Sequence, residues 1–153
     1  MKSVNIRSHL NLPSIEIEGF RLWIQSRQLP DLDDYWNGNW LNITAQCRAK
    51  EAEVWISGPL VSLPEIASWA TACERMQRSL AGEAQLDCLE PGLNVKLTAE
   101  SLGHISMTVK ITPDHLNQEH TFLFEIDQSY LTSLISTLRS ILREFPIKGV
   151  SDG

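Results

Sequence analysis

The carboxylates come first among the residues able to do chemistry in this sequence. Glu16 with Glu18, Glu51 with Glu53, and Asp31 with Asp33 and Asp34 are each close enough in the chain to share acid and base roles. Glu16 and Glu18 alternate with Ile15 and Ile17, so in an extended strand they occupy the face opposite the apolar pair and point to water. His104, His115 and His120 could bring three imidazoles to a metal, but their spacing matches neither a helical pair nor a cysteine–histidine framework. The serines include no Gly-x-Ser-x-Gly elbow, and neither GxGxxG nor a phosphate-cradling P-loop occurs. Cys47, Cys73 and Cys88 are odd in number, far apart and at apolar positions, which predicts buried reduced thiols. No catalytic residue, cofactor or metal site is therefore expected, and the chain reads as a protein that is not an enzyme.

The acidic run Asp31-Leu32-Asp33-Asp34 is different because it leads straight into DYWNGNWL, residues 34–41. Glycine and asparagine there accept the left-handed backbone of a tight turn, and the flanking tryptophans carry large rings with one N–H each. Like charge joined to rigid aromatic surface is a combination that protein-binding sites use. Asp31, Asp33, Asp34, Tyr35 and Trp36 are accordingly the candidate partner-binding residues. Asn39 and Trp40 read as architectural, the amide bonding local backbone and the ring sealing the sheet beside the first helix.

Alternation of apolar residues supplies the elements that must hold this corner. Residues 3–10 suit a strand, with Val4, Ile6 and Leu10 on one face. Ile15, Ile17, Phe20, Leu22 and Ile24 keep period two with one slip at Gly19, as a bulge would produce, in one strand or a pair of short ones. After a loop at 29–38, alternation resumes at Leu41, Ile43, Ala45 and Cys47, and a turn at Lys50-Glu51 leads to Val54 and Ile56, an antiparallel hairpin. Ser62 and Glu65 form a capping box with Pro64 in the first turn. The helix that follows carries Ile66, Trp69, Ala70, Cys73, Met76 and Leu80 in one stripe and is expected to stop at Gly82. Strands are predicted at 84–89, 93–99, 105–112 and 121–126. A last helix over about 128–145 starts after Asp127, carries Leu131, Leu134, Ile135, Leu138, Ile141, Leu142 and Phe145, and ends at Pro146. The expected architecture is α+β: an antiparallel sheet of about six to eight strands with two helices packed on one face.

A length of 153 residues suits a single domain, here over residues 1–150. The formal charge of −6 disfavours a nucleic-acid partner, which would require a basic stripe, and suits a basic protein instead. No apolar run is long enough for a signal peptide or a membrane span, so a cytoplasmic location away from membranes is expected.

Taken in order, several segments resemble the WapI-type immunity proteins and related small bacterial families. They are Gly19-Phe20-Arg21-Leu22, the DYWNGNWL corner with Asn39-Trp40-Leu41, the helix opening at 60–69, Glu90-Pro91-Gly92-Leu93, and the closing DQSYLTSLISTLRSILREFP. The resemblance covers nearly everything after Ile15. Gly58-Pro59-Leu60 stands where those proteins carry a more polar Asp-Pro-Cys-Leu type of segment, and Gly92 where they carry asparagine. The resemblance implies a non-enzymatic, antitoxin-like protein that binds the toxic domain, typically a nuclease, of a contact-delivered polymorphic toxin. The competing reading from the residues is a small-ligand or structural binding module whose tryptophans line a pocket. Neither reading fixes an oligomeric state.

Overall fold

The computed structural model describes residues 10–151. Its strands are β1 (Ile15–Ile17), β2 (Phe20–Arg27), β3 (Trp40–Ala49), β4 (Ala52–Ser62), β5 (Glu83–Asp87), β6 (Leu93–Ala99), β7 (His104–Ile111) and β8 (Thr121–Asp127). Helix α1 (Leu63–Ser79) follows β4, and α2 (Ser129–Glu144) follows β8. The order is thus four strands and a helix, twice. The strand expected over residues 3–10 lies, but for Leu10, outside the described residues.

The α+β class, the antiparallel pairing and the strand number agree with the sequence reading, but the strands form two sheets rather than one. Each sheet is a four-stranded meander, β1-β2-β3-β4 and β5-β6-β7-β8. Alternation tells which residues share a face and leaves open which strand lies beside which. Here α1 leaves directly from the end of β4, so the next strand starts a new sheet instead of extending the first. The two sheets meet where β3 and β4 approach β7 and β8, and the helices contact each other and the edge strands β1, β4, β5 and β8. Phe20, Leu22, Ile43, Ala45 and Cys47 from the first sheet join Val95, Leu97, Met107 and Val109 from the second in one continuous apolar cluster.

The phase slip at Gly19 is a turn between two strands rather than a bulge within one, since Ile17 pairs with Phe20 and Glu18 takes a positive φ of 50°. Gly19 is required there: a Cβ would fall 1.9 Å from the Arg48 carbonyl oxygen, and the Gly19 carbonyl in turn accepts the Arg48 N–H at 2.9 Å.

Helix α1 opens with the expected capping box, the Ser62 N–H donating to Glu65 Oε1 at 2.9 Å. Leu63, Ile66, Trp69, Ala70, Cys73 and Met76 are buried along it. Leu80 departs from the expected stripe. It is half exposed, takes the left-handed conformation itself (φ 54°, ψ 35°) and ends the helix by donating its N–H to the Met76 carbonyl at 2.7 Å. A residue turned left-handed leaves the helical face, so the stop comes before Gly82 rather than at it. Along α2, Leu131, Leu134, Leu138 and Ile141 are buried, while Ile135, Leu142 and Phe145 flank them half-buried. Between the helices Arg139 grips Glu74, with Nη2 2.6 Å from Oε1 and Nε 3.0 Å from Oε2.

Candidate partner-binding surface

Residues 28–39 link β2 to β3, and a polar loop of this length is mobile unless it is tied down. Three hydrogen bonds fix its ends: the Gln28 N–H donates to the Trp40 carbonyl at 2.8 Å, the Gly38 N–H to the Asp34 carbonyl at 2.9 Å, and the Leu63 N–H to the Asn39 carbonyl at 2.9 Å. The last of these joins the corner to the first residue of α1. Gly38 is buried, and a Cβ there would lie 2.5 Å from the Leu32 carbonyl oxygen and 2.8 Å from that of Asp34. The closeness of these backbones leaves room for glycine alone.

The C-terminal tail completes the corner. Asn39, only 1% exposed, donates through Nδ2 to the carbonyls of Tyr35 and Lys148, both at 2.9 Å, and accepts the Lys148 N–H at 2.8 Å. Lys148 Nζ donates to the carbonyls of Pro30 at 2.8 Å and Leu32 at 2.9 Å. Arg27 donates to the Gly38 carbonyl at 2.9 Å and to the Pro146 carbonyl. Gly149, at φ 68°, lies so near that a Cβ on it would sit 2.7 Å from the Tyr35 nitrogen. Both cations beside the loop are thus turned inward onto main-chain oxygens. Sequence reasoning reached Asn39 through its turn chemistry but missed Lys148, because nothing local in a polar tail marks a contact more than a hundred residues away.

The five candidate residues lie in this one loop, with different surroundings. Asp31 has no hydrogen-bond or ionic partner among the described residues. Asp33 is 89% exposed, and its Oδ1 lies 3.4 Å from Lys148 Nζ, a contact weakened by solvent. Asp34 accepts the N–H and the Nδ2 of Asn37, both at 3.0 Å, so it shapes the turn as well as charging it. Tyr35 is half-buried and meets the Trp36 ring edge to face, their centroids 5.0 Å apart. Trp36 is 62% exposed, and its carbonyl accepts the Trp40 indole N–H at 3.0 Å. Solvent-exposed Leu29 and Leu32 on the loop and Ile147 and Val150 on the tail add apolar surface beside it.

Behind Trp36 is a groove of about 250 Å³ lined by Tyr35, Trp36, Asn39, Trp40, Ser62, Pro64, Glu65 and Leu89. Glu65 lends its second oxygen to the Leu89 N–H at 2.7 Å, which brings the turn after β5 to the groove wall. The other tryptophans lie elsewhere: Trp23 and Trp55 stack on each other with centroids 5.7 Å apart, and Trp69 is wholly buried.

The remaining candidates for chemistry stay apart. Among the described residues, no three His, Cys, Asp or Glu side chains gather as metal ligands. Glu16 pairs with Arg21 at 2.8 Å, and Glu18 accepts the Tyr130 hydroxyl at 2.6 Å. Cys47 and Cys73 are fully buried, and burial pushes both thiols up to about 12, so neither is a thiolate at neutral pH. Burial raises Cys88 as well. No described helix is long and apolar enough to cross a membrane.

Among solved structures, the fold is similar to WHY3 from Arabidopsis thaliana, at 14% identity over 84% of this chain and 83% of that one, with a TM-score of 0.46. It is also similar to the plant transcriptional regulator PBF-2, at 11% identity over 85% and 84% with a TM-score of 0.46. WHY1 from Arabidopsis thaliana gives 12% identity over 80% and 76% with a TM-score of 0.48. Likeness at this level carries nothing about function. No curated protein sequence matches the chain. The family model described as the immunity protein WapI-like family matches residues 11–146, from the segment before β1 to the proline that follows α2 and so through both sheets, both helices and the aromatic corner. The chain belongs to the immunity protein WapI-like family, which gives it a toxin-immunity role with a cognate toxin protein as its partner.

Proposed function

We propose that this protein acts as a single cytoplasmic domain that neutralises, without catalysis, the nuclease domain of a contact-delivered toxin. Asp31, Asp33, Asp34, Tyr35 and Trp36 form part of the surface it presents. The observation that carries this reading is the corner itself, a loop locked by Asn39 and Lys148 that holds an exposed tryptophan beside three aspartates. A nuclease surface must be basic to hold phosphates, so acidic residues on its inhibitor favour a fast, correctly oriented encounter. The net charge of −6 acts in the same sense. A loop already fixed in shape loses little conformational entropy on binding, so more of the contact energy of Trp36 reaches the complex.

The test is a set of association and dissociation rates against the nuclease domain of the cognate toxin, at two salt concentrations. Replacing Asp31, Asp33 and Asp34 together with asparagine should slow association several-fold at low salt, with a smaller difference at high salt, where charges are screened within a Debye length of about 8 Å or less. Trp36→Ala should mainly speed dissociation. Unchanged association for the triple variant, its fold intact, would move the interface elsewhere.

A further inference from the structure

We propose that the groove between the aromatic corner and the start of α1 is a socket for one arginine side chain of the partner. This rests on the reading of residues 31–36 as toxin-facing surface and specifies the chemistry of its anchor. At about 250 Å³ the groove is below the range of about 300–1,000 Å³ that takes a drug-sized ligand, and it suits a single long side chain. Its lining joins three aromatic residues, Tyr35, Trp36 and Trp40, to Asn39, Ser62, Pro64 and Leu89 and to one carboxylate, Glu65.

Glu65 decides among the occupants. Its two oxygens accept the Ser62 and Leu89 N–H groups at 2.9 and 2.7 Å. A carboxylate offers about four lone-pair sites, so two remain for a further donor. An apolar side chain seated here would strip water from that charge and return nothing. A cation meets both requirements, the carboxylate and the rings. Arginine fits better than lysine because its flat guanidinium stacks on an aromatic face while its N–H groups reach a carboxylate in the same plane. The neighbouring side-chain charges agree. Asp31, Asp33 and Asp34 lie along the same loop, Glu90 follows Leu89, and neither Arg27 nor Lys148 lines the groove, since both hold main-chain oxygens of the corner and tail. Among the described residues no Lys or Arg lines the groove, and the carboxylates there offset the positive N-terminal end of α1 that forms part of its wall.

The experiment needs no toxin. The isotope-labelled protein is titrated with N-acetyl-arginine-N-methylamide and, separately, with N-acetyl-leucine-N-methylamide, following the indole N–H resonances of all five tryptophans. The arginine probe should move the Trp36 and Trp40 signals, leave those of Trp23 and Trp55 in place, and bind more tightly than the leucine probe. Trp36→Ala, read through Trp40, should weaken the arginine probe about two- to fivefold, the range of an exposed cation–aromatic contact. Equal or tighter binding of the leucine probe would overturn the proposal in favour of an apolar anchor. Silence of both indoles, or an arginine response unchanged by Trp36→Ala, would remove the socket. Those failures leave the salt-dependent association of the aspartate variant standing, whereas failure of that test leaves arginine selectivity standing.

Discussion

Replacing Asn39 with alanine deletes three hydrogen bonds in one step: Nδ2 to the carbonyls of Tyr35 and Lys148, and Oδ1 from the Lys148 N–H. The side chain is 1% exposed, so water does not share these bonds in the native state. At about 0.5–1.5 kcal/mol net for each, the loss is about 1.5–4.5 kcal/mol. Lys148 and Tyr35 are only half-buried and recover some water once the amide is gone, which brings the expected value to about 2–3 kcal/mol. Urea unfolding followed by tryptophan fluorescence reads this as a lower midpoint at unchanged slope. Asn39→Asp is the sharper control. It keeps an acceptor for the Lys148 N–H but turns a carboxylate oxygen toward two carbonyls, so at neutral pH it should be no milder than alanine. In acid the carboxyl regains an O–H donor for one of the carbonyls, and part of the deficit should return. A midpoint shift worth less than about 0.5 kcal/mol for Asn39→Ala would refute the reasoning, because the three bonds would then carry no net stability.

Two further outcomes are expected. Leu138, fully buried on α2, should cost about 2–5 kcal/mol on truncation to alanine, and a denaturant shift below about 0.5 kcal/mol would place that stripe in water. The Arg139 guanidinium beside Glu74 holds its carboxyl below the usual glutamate range. Stability from this pair is therefore present above the ordinary glutamate value and lost as pH falls through the lowered one. Arg139→Gln should destabilise the protein at pH 7 and converge with the parent in acid, and a deficit independent of pH would show that the pair acts through packing alone.

How much could be read from the chain depended on the distance over which each signal acts. Ser62 and Glu65 are three residues apart and their capping box formed as expected, because both partners belong to one helical turn. The alternation from Leu41 to Cys47 gave the buried face of β3 correctly. Leu80 misled because its apolar character and spacing continued the stripe, while the backbone had already turned left-handed at that residue. The division into two sheets was hidden, since period two is the same in either arrangement. At the candidate surface the five residues could be named, yet what shapes them could not: Lys148, Gly149 and Leu89 reach the corner from distant parts of the chain.

The lock between Asn39 and Lys148 spans 109 residues of sequence. During synthesis the corner emerges before the residues that clamp it, which follow more than a hundred residues later. Contacts of such separation form late in folding because the chain between them must first be organised. The loop that carries Asp31, Asp33, Asp34 and Trp36 consequently takes its final shape only once the tail has docked on it. A nascent chain short of Lys148 would carry the aspartates and Trp36 on a loop held by its own turn bonds and by the start of α1, without the clamp that the tail supplies.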